Sequence, residues 1–143
     1  MAANKNFEII PEELGIRMRV RGKTARELFR NALACLAAHM KPDAALLSKN
    51  RRQAKEEISI EAVDLNSLLV DFLSGVIAHA DSRGAVFTDI TFKKFGENFL
   101  SGELVGAAVD RFANEIRAIS YSDVDVRKNP KTGLYEALVT FEI

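Results

Sequence analysis

The sequence has a single cysteine, two histidines and no surplus of either charge. Cys35 alone cannot close an intrachain disulfide, so the chain gives no support to an oxidising compartment. Lys+Arg and Asp+Glu are both 20, a balance that argues against gripping nucleic acid by bulk charge, because domains that do so carry a basic excess. No uncharged apolar run approaches the roughly 20 residues of a membrane helix, and Met1 to Phe7 holds no apolar stretch of signal-peptide length. The expectation is a soluble cytoplasmic protein with no membrane partner. Glycine-rich phosphate loops are missing too, since Gly84, Gly96, Gly102, Gly106 and Gly133 are scattered through turns and strands. No cysteine or histidine spacing suits zinc, and no nucleophile stands beside an evident base.

What is present is a core. The chain is 143 residues long and 48% apolar, enough for one compact domain over 1–143 and too apolar for disorder. Leu14, Ile16, Met18 and Val20 alternate with Gly15, Arg17, Arg19 and Arg21, which predicts a strand with one face on a core. Phe7 to Ile10 reads as a shorter strand cut off by Pro11. Thr24-Ala25-Arg26-Glu27 is a capping box, and apolar residues from Leu28 to Met40 recur at helical spacing, giving a helix over Thr24 to His39 stopped by Pro42. Asp64 caps a second helix, Leu65 to His79, with Ser82-Arg83-Gly84 as the turn after it. Strands are expected at Lys55 to Glu61, Val86 to Lys94, Phe99 to Ala108 and Leu134 to Ile143, with partial alternation from Ile116 to Arg127. Gly96-Glu97-Asn98 and Asn129 to Gly133 carry turn chemistry. Short turns between strands imply an α+β domain: a mostly antiparallel sheet with both helices on one face.

Few residues suggest chemistry. His39 and His79 each fall at a predicted helix C-terminus, where a cation suits the helix dipole. Cys35 lies on an alanine- and leucine-rich helix and reads as a small buried hydrophobe. Lys49, Arg51, Arg52 and Lys55 could touch RNA phosphates, but Glu56 and Glu57 follow and no aromatic is interleaved for stacking, so a solvated loop from Asp43 to Ala54 is the plainer reading. Carboxylates remain. Glu12 and Glu13 precede the first long strand, and Glu142 is followed by Ile143 with its α-carboxylate. If the first and last long strands lie side by side, these groups meet, and oxygen clusters suit Ca²⁺ or Mg²⁺. Acidic strand ends are more commonly just solvated.

A resemblance adds to this. The helix segment Asp64-Leu65-Asn66-Ser67-Leu68-Leu69-Val70-Asp71-Phe72-Leu73 resembles the central helix of the archease family. In the same order, Gly22-Lys23-Thr24 with Glu27-Leu28-Phe29, then Ile116-Arg117-Ala118-Ile119-Ser120-Tyr121, then Phe141-Glu142-Ile143 are similar to that family's first strand–helix junction, late segment and ending. The resemblance spans nearly the whole chain through this ordered set. It implies an accessory protein, not an enzyme, that promotes guanylylation and turnover of an RtcB-type RNA ligase in tRNA splicing or RNA repair, with RNA met only through the ligase.

It also implies a divalent metal site, calcium or magnesium, on an N-terminal aspartate, the penultimate aspartate and the terminal carboxylate. Those positions fall here on Glu13, Glu142 and Ile143, with Glu12 as an additional candidate. Both aspartates are thus glutamates, one methylene longer, a change that a calcium shell accommodates better than a strict magnesium octahedron. The family's histidine positions fall on Ile10 and Ser122. Two alternatives stand beside this reading. One is a metal-free binding or scaffold module that reuses the fold for another partner. The other is a small hydrolase or phosphotransfer enzyme using the same carboxylates.

Overall fold

A computed structural model describes residues 6–13, 15–41, 53–121 and 124–143. The element order is β1 (Phe7–Pro11), β2 (Gly15–Gly22), α1 (Ala25–Met40), β3 (Gln53–Glu61), α2 (Leu65–Arg83), β4 (Ala85–Phe95), β5 (Phe99–Ala108), β6 (Ala118–Ile119), β7 (Asp125–Lys128) and β8 (Tyr135–Glu142). All the strand pairings are antiparallel, as the α+β reading requires. They divide between two sheets instead of filling one. The first runs β1-β2-β8-β6, with β7 also on β8, and the second runs β3-β5-β4. Alternation specifies which side of a strand is wet, not which strand lies beside it, so this division is invisible in the sequence.

Several boundaries moved for physical reasons. β1 includes Pro11 instead of stopping before it, which an edge strand tolerates because a missing N–H there breaks no ladder. The partial alternation after Ile116 resolves into two short strands. β6 pairs with the end of β8 at Phe141 and Glu142, and β7 with its start between Tyr135 and Leu138. α2 runs through Ser82 and Arg83 to Gly84, whose φ of 62° supplies the left-handed cap. His79 is therefore not at the helix end. It stands 3.8 Å from Glu56, which also meets Arg83 at 3.3 Å. β3 begins at Gln53, so Gln53 and Ala54 leave the expected loop, and the remainder of that loop, with Lys49, Arg51 and Arg52, lies outside the described residues.

Local chemistry acts where expected. The Glu27 amide donates to the Thr24 hydroxyl over 3.0 Å, and the Ser67 amide donates to Asp64 over 2.8 Å, so both helices start on side-chain caps. The turn before β8 closes around Asn129, whose side-chain oxygen accepts from the Lys131 amide at 2.8 Å. α1 packs on β2 and β4, and α2 packs on β3 and β4 and reaches β6 and β7, so both helices tie the two sheets together. Where these elements converge, Phe29, Phe72, Phe92 and Phe95 form an aromatic cluster. Ring centroids are 5.7 Å apart for Phe29 and Phe72, and 5.0 Å apart for Phe29 and Phe95, the latter edge to face. β4 carries register shifts between Phe87 and Asp89 and between Phe92 and Lys94. They lie opposite Gly106 and Gly102, where a Cβ would run into β4 backbone. Such bulges bend a strand and strengthen its twist.

Two side groups of α1 behave differently from each other. Cys35 is fully buried, and burial pushes its thiol far above the ordinary cysteine range, so it is the inert core residue expected. His39 was expected to favour its cation at the helix end. Instead burial lowers its pKa from the ordinary 6.5, and its Nε2 is shielded without a hydrogen-bond partner among the described residues. A lowered histidine binds fewer protons folded than unfolded. Its share of stability is thus present above 6.5 and is lost as the pH falls below that value. Urea unfolding across this window should show stability declining toward acid, with a shallower decline in His39→Leu. Equal slopes for the two proteins would refute the assignment.

Candidate functional site

The first sheet presents its inner face to the helices through Ile16, Met18, Val20, Ala137, Val139 and Phe141, all buried. Period two then sends Arg17, Arg19 and Arg21 of β2 and Glu136, Leu138, Thr140 and Glu142 of β8 to the other face. At one end of this face lies the β1–β2 turn. The Glu12 amide donates to the Gly15 carbonyl over 3.0 Å and closes it, leaving Glu12 and Glu13 exposed.

Gly15 pairs with Glu142, so the register of β2 on β8 sets the penultimate residue beside that turn. The approach is close. A Cβ at Gly15 would collide with the Phe141 carbonyl oxygen, and it would lie 3.1 Å from the carbonyl carbon. On the far side of β8 the Arg117 amide donates to the Glu142 carbonyl over 2.8 Å, so the strand end is held from both flanks.

Glu12, Glu13, Gly15, Arg17, Thr140, Phe141 and Glu142 line one open depression of about 350 Å³. Three of the carboxylates singled out in the sequence, Glu12, Glu13 and Glu142, are thus brought together, although they lie at opposite ends of the chain. Ile143 follows Glu142 and is 53% exposed, outside the residues that line the depression. Ser122 lies outside the described residues.

Sequence reading missed two participants. Arg17 directs its guanidinium into this site, with Nε 3.2 Å from the Glu12 carboxylate. That nitrogen is shielded from solvent and makes no hydrogen bond among the described residues, so the contact is an ion pair by distance alone. Thr140 is its cross-strand partner, and the Thr140 hydroxyl is likewise shielded without a hydrogen-bond partner among the described residues. The signal was present: Arg17 carries the first side chain on the outward face after the acidic turn.

The donors are hard oxygens, the chemistry that Ca²⁺ and Mg²⁺ select. Their arrangement does not fit a preformed shell. Among the described residues no three His, Cys, Asp or Glu side chains gather closely enough to hold a metal ion. No helix among the described residues is long and apolar enough to cross a membrane.

Comparison with known proteins gives a consistent result. The Archease protein family (MTH1598/TM1083) matches residues 7–143. Protein archease of Thermoplasma acidophilum is 29% identical over 125 residues, covering 85% of each chain. Its counterpart in Aeropyrum pernix is 30% identical over 115 residues, covering 75% of this chain and 77% of that one. Among solved structures, protein 1598 of Methanobacterium thermoautotrophicum superposes with a TM-score of 0.71 at 19% identity, covering 98% of this chain and 100% of that one. An archease of Thermotoga maritima, described as a possible chaperone, superposes with a TM-score of 0.66 at 16% identity, covering 100% and 99%. At such identities the two structures speak for the fold alone.

Proposed function

This chain belongs to the archease family, and from that premise we propose that it is an accessory protein acting on a partner enzyme, an RtcB-type RNA ligase, through the carboxylate tip at Glu12, Glu13 and Glu142. The observation that carries the reading is the register of Gly15 on Glu142, which sets one carboxylate beside two others on an exposed rim. The rim lies on the sheet face opposite the two helices, open to a large partner. The possible-chaperone description of the Thermotoga maritima relative agrees with a role exerted on another protein.

In this reading the tip contributes binding and orientation. Charge-assisted hydrogen bonds from a partner's arginine, lysine or backbone N–H groups would hold it at the mouth of the ligase site. The chain itself performs no bond-making step. RNA is met through the ligase.

The test is guanylylation and multiple-turnover ligation by an RtcB-type ligase, with and without the chain. The wild type should stimulate both. Glu13→Ala/Glu142→Ala should lose stimulation about tenfold or more, since one charge-assisted contact is worth about 1.5–3 kcal/mol. Equal stimulation by the variant would remove the tip from the mechanism. No stimulation by a folded wild type would favour the second reading, a binding module that keeps the fold and serves another partner. The glutamates at the family's aspartate positions are what keep that reading in view.

A further inference from the structure

The tip holds a cation of its own. Arg17 reaches from β2 into the depression formed by Glu12, Glu13, Thr140 and Glu142, and its Nε stands 3.2 Å from Glu12. The guanidinium belongs to the strand whose pairing builds the site, so it is in place whenever β2 and β8 are paired. We infer that Arg17 is the tip's built-in counter-ion, taking the place a divalent metal would hold, and that this chain works metal-free. The inference deepens the reading of the same tip, and its test uses the isolated chain, so a failure of the ligase experiment leaves it standing.

Three observations converge on it. The first is the ion pair itself. Glu12 is the acidic residue at the turn that an incoming dication would have to detach from Arg17. A dication entering the depression would also meet a fixed positive charge, and the repulsion is strongest where solvent is partly excluded, as it is around Arg17 Nε.

The second is donor supply. Calcium takes about six to eight oxygens and magnesium a near-ideal octahedron, whereas among the described residues no three acidic, histidine or cysteine side chains are grouped closely enough to hold a metal ion. Third, both side chains that the family resemblance assigns to the metal are altered. Glutamates stand at 13 and 142, and Ile10 stands where a histidine was implied. An arginine is also a better permanent occupant than a lysine. Its charge persists at every accessible pH, and its planar fork can face more than one carboxylate.

Calorimetric titration of Ca²⁺, Mg²⁺ and Mn²⁺ into the isolated chain tests this, together with thermal melting in each cation and in chelator. The wild type should give no saturable heat, and its melting temperature should be the same in cation and in chelator. Arg17→Gln, which keeps the stem and removes the charge, should acquire a cation response, a rise in melting temperature on the order of 5 °C at cation about ten times its dissociation constant. Arg17→Lys restores a fixed charge and should abolish that response, and it serves as the folded control if Arg17→Gln melts early. Saturable binding to the wild type that Glu13→Ala/Glu142→Ala loses would overturn the inference. An Arg17→Gln chain that is folded and still indifferent to all three cations would overturn the counter-ion role.

Discussion

Phe72→Ala is expected to lower the unfolding free energy by about 3–5 kcal/mol, the range for deleting a buried phenylalanine. Phe72 is fully buried on α2, with its ring 5.7 Å from Phe29 on α1 and 6.4 Å from Phe92 on β4. The substitution removes the ring through which α2 meets both the other helix and the second sheet. The hole cannot collapse easily, because its walls come from three elements fixed by their own hydrogen bonding. A domain of this kind has about 5–15 kcal/mol of stability in all, so the variant should sit near the edge of folding. Urea denaturation followed by circular dichroism reads the effect as a lower midpoint at unchanged slope. A loss below about 1 kcal/mol would mean the cluster repacks and the rings are not a structural hinge point.

Gly15→Ala is the second large effect, and it falls on the tip. A Cβ at this position runs into the Phe141 carbonyl oxygen, and the obstacle is backbone, which cannot rotate away as a side-chain end could. Relief requires β2 to move off β8 where Gly15 faces Glu142. Overpacking of this kind costs about 1–3 kcal/mol. The local consequence is more telling than the global one: Glu142 is displaced from Glu12 and Glu13, so ligase stimulation should drop along with that of the carboxylate variants, although every carboxylate is still present. Amide chemical shifts should change at the start of β2 and the end of β8, while β3, β4 and β5 stay as they are. Normal stability together with full stimulation would show that the Gly15–Glu142 register is not what assembles the tip.

The sequence showed the local rules and hid the non-local ones. Thr24 and Asp64 were recognisable as helix starts because a cap is a contact between residues three apart. The bounds of β5 were readable because its ends are marked by a hairpin and a core pattern. The end of α2 was not, since Ser82-Arg83-Gly84 looks like a turn whether the helix stops before it or uses Gly84 as its left-handed cap. Likewise, β6 and β7 share one neighbour, and no pattern within Ile116 to Arg127 says that both will dock on β8. His39 was misread because the dipole at a helix end is visible in sequence while the burial that overrides it is not. At the tip, Glu12, Glu13 and Glu142 were nameable as carboxylates at strand ends. Arg17 was passed over because, in a string of alternating arginines, it looks like the others until the turn folds back and puts Glu12 against it.

The pairing of β2 with β8 joins residues from near the two ends of the chain, whereas β4 and β5 are joined by a short hairpin and β3 meets β5 across one helix and β4. Closing a long loop costs more entropy than closing a short one, and contacts distant in sequence slow folding. The second sheet therefore has a head start, and the first sheet, with the carboxylate rim at its end, is completed last. Were the carboxylate rim to act on a partner as proposed, it would be on display only once the rest of the molecule is already in place. A chain caught halfway through folding would have a hairpin and two helices to show, and no tip with which to engage a partner.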